Sequence, residues 1–242
     1  MNDAQDPDGR TVFGRYAYPP NELGYCGPAD GGGTSGLASH AREFDGAWPY
    51  LSAIAEAVDA SDALDAEVVR SYWVGGRALS KVEPQALLAR LRAAFAGQVT
   101  GMLDTVPATG DALAHHSFHV FVVYPWVRFL GRDAGTAVDV MQACRIRWGV
   151  VEAVTGDQAE ITSRPLQYTN GRLTLGDPRP ERIAWKRGDL SLAPPPRPGG
   201  VVSAHWDWIC GALTDEEAAD LETATQTTLD LVNSVIGQEV SR

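Results

Sequence analysis

The chain has 242 residues, 44% hydrophobic and 21% charged, the balance of a soluble globular protein with room for one large domain or two ordinary ones. Its net charge of −11 disfavours nucleic acid as a partner, because phosphate would be repelled rather than neutralised. The longest apolar run, Val120–Val127, is too short for a membrane span, and the first residues lack the basic and apolar regions of a secretory signal. Three widely spaced Cys residues form no closed disulfide set, so the expectation is a cytoplasmic protein with free thiols.

Residues 1–10 are polar and are expected to be disordered. The stretch 13–28 is so dense in aromatics, Pro and Gly that it predicts an ordered loop rather than a long helix or an inner strand. Within it, Tyr25 and Cys26 are candidates for a lid over a site. The Gly-rich run Asp30–Gly36 reads as a joint and lacks the Lys and spacing of a phosphate loop.

From about Leu37 to Gln142 the apolar spacing is helical. Helices are predicted over Ala47–Val58, after a cap at Ser61, from Pro84, over His115–Leu130 with an interruption at Pro125, and over Asp133–Ala143. In the fourth of these, His115, His116 and His119 stand at spacings that put pairs of imidazoles on one helical face, a ligand geometry for zinc, nickel or iron. No Glu completes a zincin motif, and Cys26 reaches such a site only if the N-terminal arm folds over it.

Beyond Gly131 the period changes to that of short strands. Arg145–Val154 and Gln158–Thr162 flank a turn at Gly156-Asp157, and Asn170-Gly171 marks a second hairpin. A Pro-rich loop over Leu192–Gly200 precedes one last strand, Val201–Cys210. There Ser203, His205 and Asp207 alternate with Val202, Ala204, Trp206 and Trp208, a pattern that by itself leaves His205 at the solvent. Thr214 and Glu217 form a capping box that opens a final helix to about Ile236. The expected fold class is therefore α+β: an N-terminal helical domain over 1–140, then a small OB-like β-barrel with a C-terminal helix over 141–242.

Two stretches of the second half carry a resemblance. Cys144-Arg-Ile-Arg-Trp148-Gly149-Val150-Val151 begins it, and His205-Trp-Asp-Trp208 followed by Leu213-Thr-Asp-Glu-Glu ends it. In order and placement this part, from Cys144 to about Val232, resembles the HypC/HupF family of nickel–iron hydrogenase assembly chaperones, small barrels that open on a Cys and carry a His on a late strand. The chain departs from the family in having Cys144 internal, Trp148 in place of a Pro and Asp207 in place of a Gly. Residues 1–140 have no counterpart there.

The resemblance implies a carrier rather than an enzyme. It implies that Cys144 and His205 bind iron bearing carbon monoxide and cyanide in transit, with a HypD-like scaffold and a hydrogenase large-subunit precursor as partners. Thiolate and imidazole suit iron, copper or zinc on chemical grounds alone. Arg145 and Arg147 beside Cys144 are expected to lower its pKa toward the thiolate. Cys210 is read as packing. The other reading is a metal-binding protein or enzyme whose site is the cluster His115, His116 and His119 in the helical half.

Overall fold

The computed structural model describes residues 7–29, 33–107 and 112–240. Of the segments expected to be disordered or jointed, residues 1–6 and 30–32 lie outside the described residues. The chain is a mixed α+β protein: helices come first, a multi-stranded sheet follows, and a long helix ends it.

The arm expected to be a loop is a helix, α1, spanning Gly9–Glu22. Asp8 caps it by accepting from the Thr11 amide at 2.8 Å, and Val12, Phe13, Tyr16 and Ala17 form one buried face. Aromatic and Gly density does not block a helix when that face has a body to pack on. The two prolines lie in its last turn, where they remove two N–H donors rather than break the helix. The carbonyls they would have engaged, four residues back, belong to Arg15 and Tyr16.

Short α2 (Gly33–Leu37) and a 3-10 turn lead to α3 (Trp48–Ala57), α4 (Ala66–Trp73) and α5 (Pro84–Ala94). The cap of α4 is Asp65, which accepts from the Glu67 amide, and not Ser61. Then α6 (His116–Phe118) runs straight into a π-helical turn, His119–Val123, and Tyr124 and Pro125 end it as the proline requires. α7 (Ala134–Cys144) is capped by Asp133, so Cys144 is the last helical residue and does not open the strand.

The main sheet is formed by β1 (Arg147–Thr155), β2 (Gln158–Ser163), β5 (Arg179–Ala184), β8 (Val201–His205) and β9 (Trp208–Leu213). Pairing runs β1-β2-β5-β9-β8 and returns to β1, with one parallel bridge, Ala184 to Trp208, between β5 and β9. β3 (Leu166–Thr169) and β4 (Arg172–Leu175) form a hairpin at Asn170-Gly171, and β6 (Lys186–Arg187) pairs with β7 (Leu190–Ser191). The single strand expected over Val201–Cys210 is two, β8 and β9, folded back at Trp206-Asp207. That turn escapes notice because its left-handed residue is Trp206, at φ 51°, and not a Gly or Asn. Such a conformation costs a Cβ-bearing residue about 1–2 kcal/mol. The Trp206 amide donates to the Ala143 carbonyl at 2.7 Å and its ring stacks on Tyr25 at 4.5 Å, contacts that hold the turn against the end of α7.

α8 (Asp215–Val240) opens with the reciprocal capping box, Thr214 to Glu217, in both directions. It packs on α6 and on β4, where Asn233 bonds both the amide and the carbonyl of Leu173 at 2.8 Å. One apolar cluster includes residues from α1 through α8 and from β3, β4 and β9, while Val151, Ala159, Ile161, Ile183, Val202, Ala204 and Ile209 form a second cluster inside the main sheet. Among the described residues no helix is long and apolar enough to cross a membrane.

The Asn233 clamp is buried on both sides, so its loss strands two backbone groups. Asn233→Ala is expected to lower unfolding stability by about 2 kcal/mol or more, read from urea melts. A change under about 0.5 kcal/mol would show that the clamp carries no stability.

Candidate metal centre

Three elements converge on one small space. The end of α7 brings Cys144, the end of β8 brings His205, and α6 brings His116; one ligand atom from each lies within 4.8 Å of the others, and all three residues are buried. The cavity there measures about 20 Å3, and its lining includes Cys26, His119 and Tyr124 as well as the triad. That volume holds roughly one water molecule. The walls come from both halves of the chain: Ala17 and Pro20 of α1, Tyr72 and Trp73 of α4, and the β8–β9 turn through His205.

His205 is fully buried, not solvent-facing. The alternation pattern misleads because the strand's second face is covered by α1. The imidazole Nδ1 lies 2.7 Å from the Tyr16 carbonyl oxygen. A carbonyl only accepts, so Nδ1 carries the proton, and the neutral ring has its lone pair on Nε2. Pro20 lacks the N–H that would otherwise bond this carbonyl within the helix, which leaves it free for His205. Nε2 itself is buried and makes no hydrogen bond of good geometry; the Cys144 backbone also bears on the ring, but its carbonyl already meets His116 Nε2 at 2.9 Å. A bare nitrogen lone pair in an apolar cavity is costly unless something binds it.

His116 is held at both nitrogens. Nε2 lies 2.9 Å from the Cys144 carbonyl and Nδ1 lies 3.0 Å from the Tyr72 hydroxyl, which also reaches the Gly46 carbonyl at 2.6 Å. The Tyr72 hydroxyl thus has two acceptors to choose between, and its choice goes with the tautomer of His116. When it donates to Gly46 its oxygen accepts from Nδ1–H, and Nε2 is released from carrying a proton. When it donates to Nδ1, Nε2–H bonds the Cys144 carbonyl.

The other histidine expectations divide. His119 lines the same cavity, with its ring 6.3 Å from that of His116, as the i, i+3 spacing requires. His115 does not join them. It precedes α6 as the cap, with Nδ1 accepting from the Ser117 amide at 3.1 Å, so it faces away from the cavity. Cys26 stands at the cavity wall on the loop after α1, and Cys210 is buried with its thiol near the Trp208 carbonyl.

The expectation of a lowered Cys144 pKa is reversed. Burial pushes the thiol well above its ordinary value. Arg145 and Arg147 turn away from it: Arg145 bonds Gln142 and the Arg164 carbonyl, and Arg147 bonds the Ala143 and Trp206 carbonyls and pairs with Glu181. Adjacency in sequence gave no adjacency of charge. Burial likewise lowers the imidazoles, His116 to about 4 and His119 to about 3, with His116 a further depressant of His119. Without an ion, then, the cavity holds a neutral thiol and neutral imidazoles at pH 7.

The family described as "Family of unknown function (DUF6390)" matches residues 5–239. The chain belongs to that family. No curated protein and no solved structure matches it. The DUF6390 match covers both halves, so the α1 helix and the histidines of α6 belong to the same family unit as Cys144 and His205.

Buried neutral imidazoles make stability depend on pH. His115, His116 and His119 have folded-state values of about 3, 4 and 3 against 6.5 when exposed, all from burial first. The unfolded chain therefore binds more protons in that window, so stability is complete above the exposed value and is lost as the pH falls toward the folded ones. Urea midpoints of the metal-free protein are expected to drop steeply between about pH 6.5 and about pH 4, and less steeply in His119→Phe. Identical slopes in the two proteins would contradict the buried neutral state of His119.

Proposed function

We propose that this protein binds one transition-metal ion through Cys144, His205 and His116, and that it works as a sheltered metal carrier. The observation that carries the reading is His205: its proton is fixed on Nδ1 by the Tyr16 carbonyl and its unbonded Nε2 faces a cavity shared with a thiol. Metal-ligating histidines characteristically donate their other ring N–H to a carbonyl or carboxylate, which fixes ring and tautomer before the ion arrives. The donor set of one sulfur and two nitrogens suits zinc, iron or copper.

The two readings of the sequence merge in this site. The Cys144–His205 pair comes from the part that resembles HypC/HupF chaperones, and His116 comes from the helical half. The closed run of strand pairs supports reading the sheet as a small OB-like barrel. On the same resemblance the cargo is iron, and the partners are a HypD-like scaffold and a hydrogenase large-subunit precursor in the cytoplasm. A carrier suits the cavity better than a hydrolase: there is space for little more than one water, and among the described residues no carboxylate stands in its wall to act as a base.

To hold an ion through Nε2, His116 would take the Nδ1–H tautomer, with Tyr72 accepting from it and donating to Gly46, and would give up its bond to the Cys144 carbonyl. Cys144 gives up its proton and supplies the thiolate. Tyr16 and Pro20 hold His205 in place throughout.

Purified without a His tag, the protein is expected to take up one equivalent of Zn2+ or Fe2+. Cys144→Ser and His205→Gln are each expected to weaken binding by about 100-fold or more, and Pro20→Ala, which lets the helix reclaim the Tyr16 carbonyl, by about 10-fold. His115→Gln should bind as the parent does. Undiminished affinity in both Cys144→Ser and His205→Gln, measured by competition with a chromogenic chelator, would end this reading.

A further inference from the structure

A divalent ion held by one thiolate and two neutral imidazoles keeps a net charge of +1. Among the described residues, the wall of the cavity includes no Asp or Glu. A buried charge left uncompensated is among the costliest arrangements a protein can hold. The wall does include a second thiol, Cys26.

Cys26 stands where the cavity meets the outside. A pocket of about 410 Å3, open to solvent, is lined by Tyr25, Cys26, Gly46, His119 and Tyr124 among others, and four of these, all but Tyr25, also line the buried cavity. An ion entering from this pocket passes the Cys26 thiol before it reaches Cys144. Gly24 and Gly27 flank Cys26 with φ of 74° and 79°, conformations that side-chain-bearing residues rarely take, and Asn21 holds the backbone by donating to the Cys26 and Pro28 carbonyls at 2.8 Å, so the Cys26 side chain is the part left to turn. Its sulfur lies outside the group of ligand atoms found within 4.8 Å of one another, so the side chain must turn inward for it to reach the ion.

We infer that Cys26 is the closing ligand: it moves onto a bare divalent cation already held by His116, Cys144 and His205, giving a neutral site of two thiolates and two imidazoles and shutting the entrance behind the ion. The inference rests on the metal-binding reading above. It commits to a divalent ion without anionic ligands of its own, because an ion that arrives with cyanide needs no second thiolate. In the binding step each S–H bond breaks as a metal–sulfur bond forms, and both protons leave to solvent; no electron is transferred.

The test uses the full chain, with Zn2+ and Co2+ as the probes. Calorimetry in buffers of different ionisation heat should show two protons released per Zn2+ in the parent and one in Cys26→Ser, with affinity reduced about 10-fold or more in the variant. The sulfur-to-metal absorption of the Co2+ form should fall by about half in Cys26→Ser. The sulfur count of the Zn2+-loaded parent, from X-ray absorption, decides the matter even if the variant folds poorly. Two sulfurs support the closing ligand, and one sulfur with one proton released overturns it while leaving the three-residue site intact. If neither ion binds the parent, the metal-binding reading fails and this inference fails with it.

Discussion

The hydrogen bond from His205 Nδ1 to the Tyr16 carbonyl decides what the centre of this protein can do. It ties the end of β8 to α1 across most of the chain, and it settles the tautomer of a fully buried imidazole. Around it α1 and the loop that follows are bound repeatedly to the β8–β9 hairpin: the Tyr16 hydroxyl meets Ser203 at 2.7 Å, the Trp208 indole donates to Glu22 at 2.9 Å, and Tyr25 stacks on Trp206. The prolines that end α1 supply the free acceptor. A helix with alanine there would use the same carbonyl internally, and His205 would lose its orienting partner.

Burial explains why the groups are held toward their neutral forms and why, on the proposed reading, a metal ion suits them. Desolvation raises the thiol and lowers the imidazoles, which disfavours the charged form of each. A soft cation changes the balance, because it stabilises the thiolate that burial disfavours and occupies the lone pair that has no donor. Tyr72, placed between Gly46 and His116, can donate to Nδ1 or accept from it, and only the state with Nδ1–H frees His116 Nε2 from the Cys144 carbonyl. The π-helical turn at His119–Val123 continues directly from α6, and His119 remains at the same cavity beside the open pocket.

Part of this was legible in the sequence. The change of apolar period near Cys144, the hairpins at Gly156-Asp157 and Asn170-Gly171, and the Thr214–Glu217 capping box have local causes, and local causes can be read from residues. His116 and His119 follow from i, i+3 spacing, whereas His115 was drawn into the cluster because its capping position is visible only once the helix start is known. The approach of Cys144 to His205 had no local signal and came through the resemblance. The β8–β9 turn stayed hidden behind Trp206, which pays its backbone strain with tertiary contacts to Ala143 and Tyr25. The thiolate expectation for Cys144 failed because burial, a property of the whole fold, outweighs neighbouring arginines whose side chains point elsewhere.

The central claim is that His205 offers a bare Nε2 to a metal ion while its proton stays on Nδ1. Nitrogen-15 spectra of the histidine rings during Zn2+ titration address it most directly. The account predicts a neutral, Nδ1-protonated His205 before zinc is added, with the Nε2 resonance moving on binding and the Nδ1 proton retained. A His205 protonated at Nε2 in the metal-free protein, or one whose resonances do not respond to zinc, would contradict it.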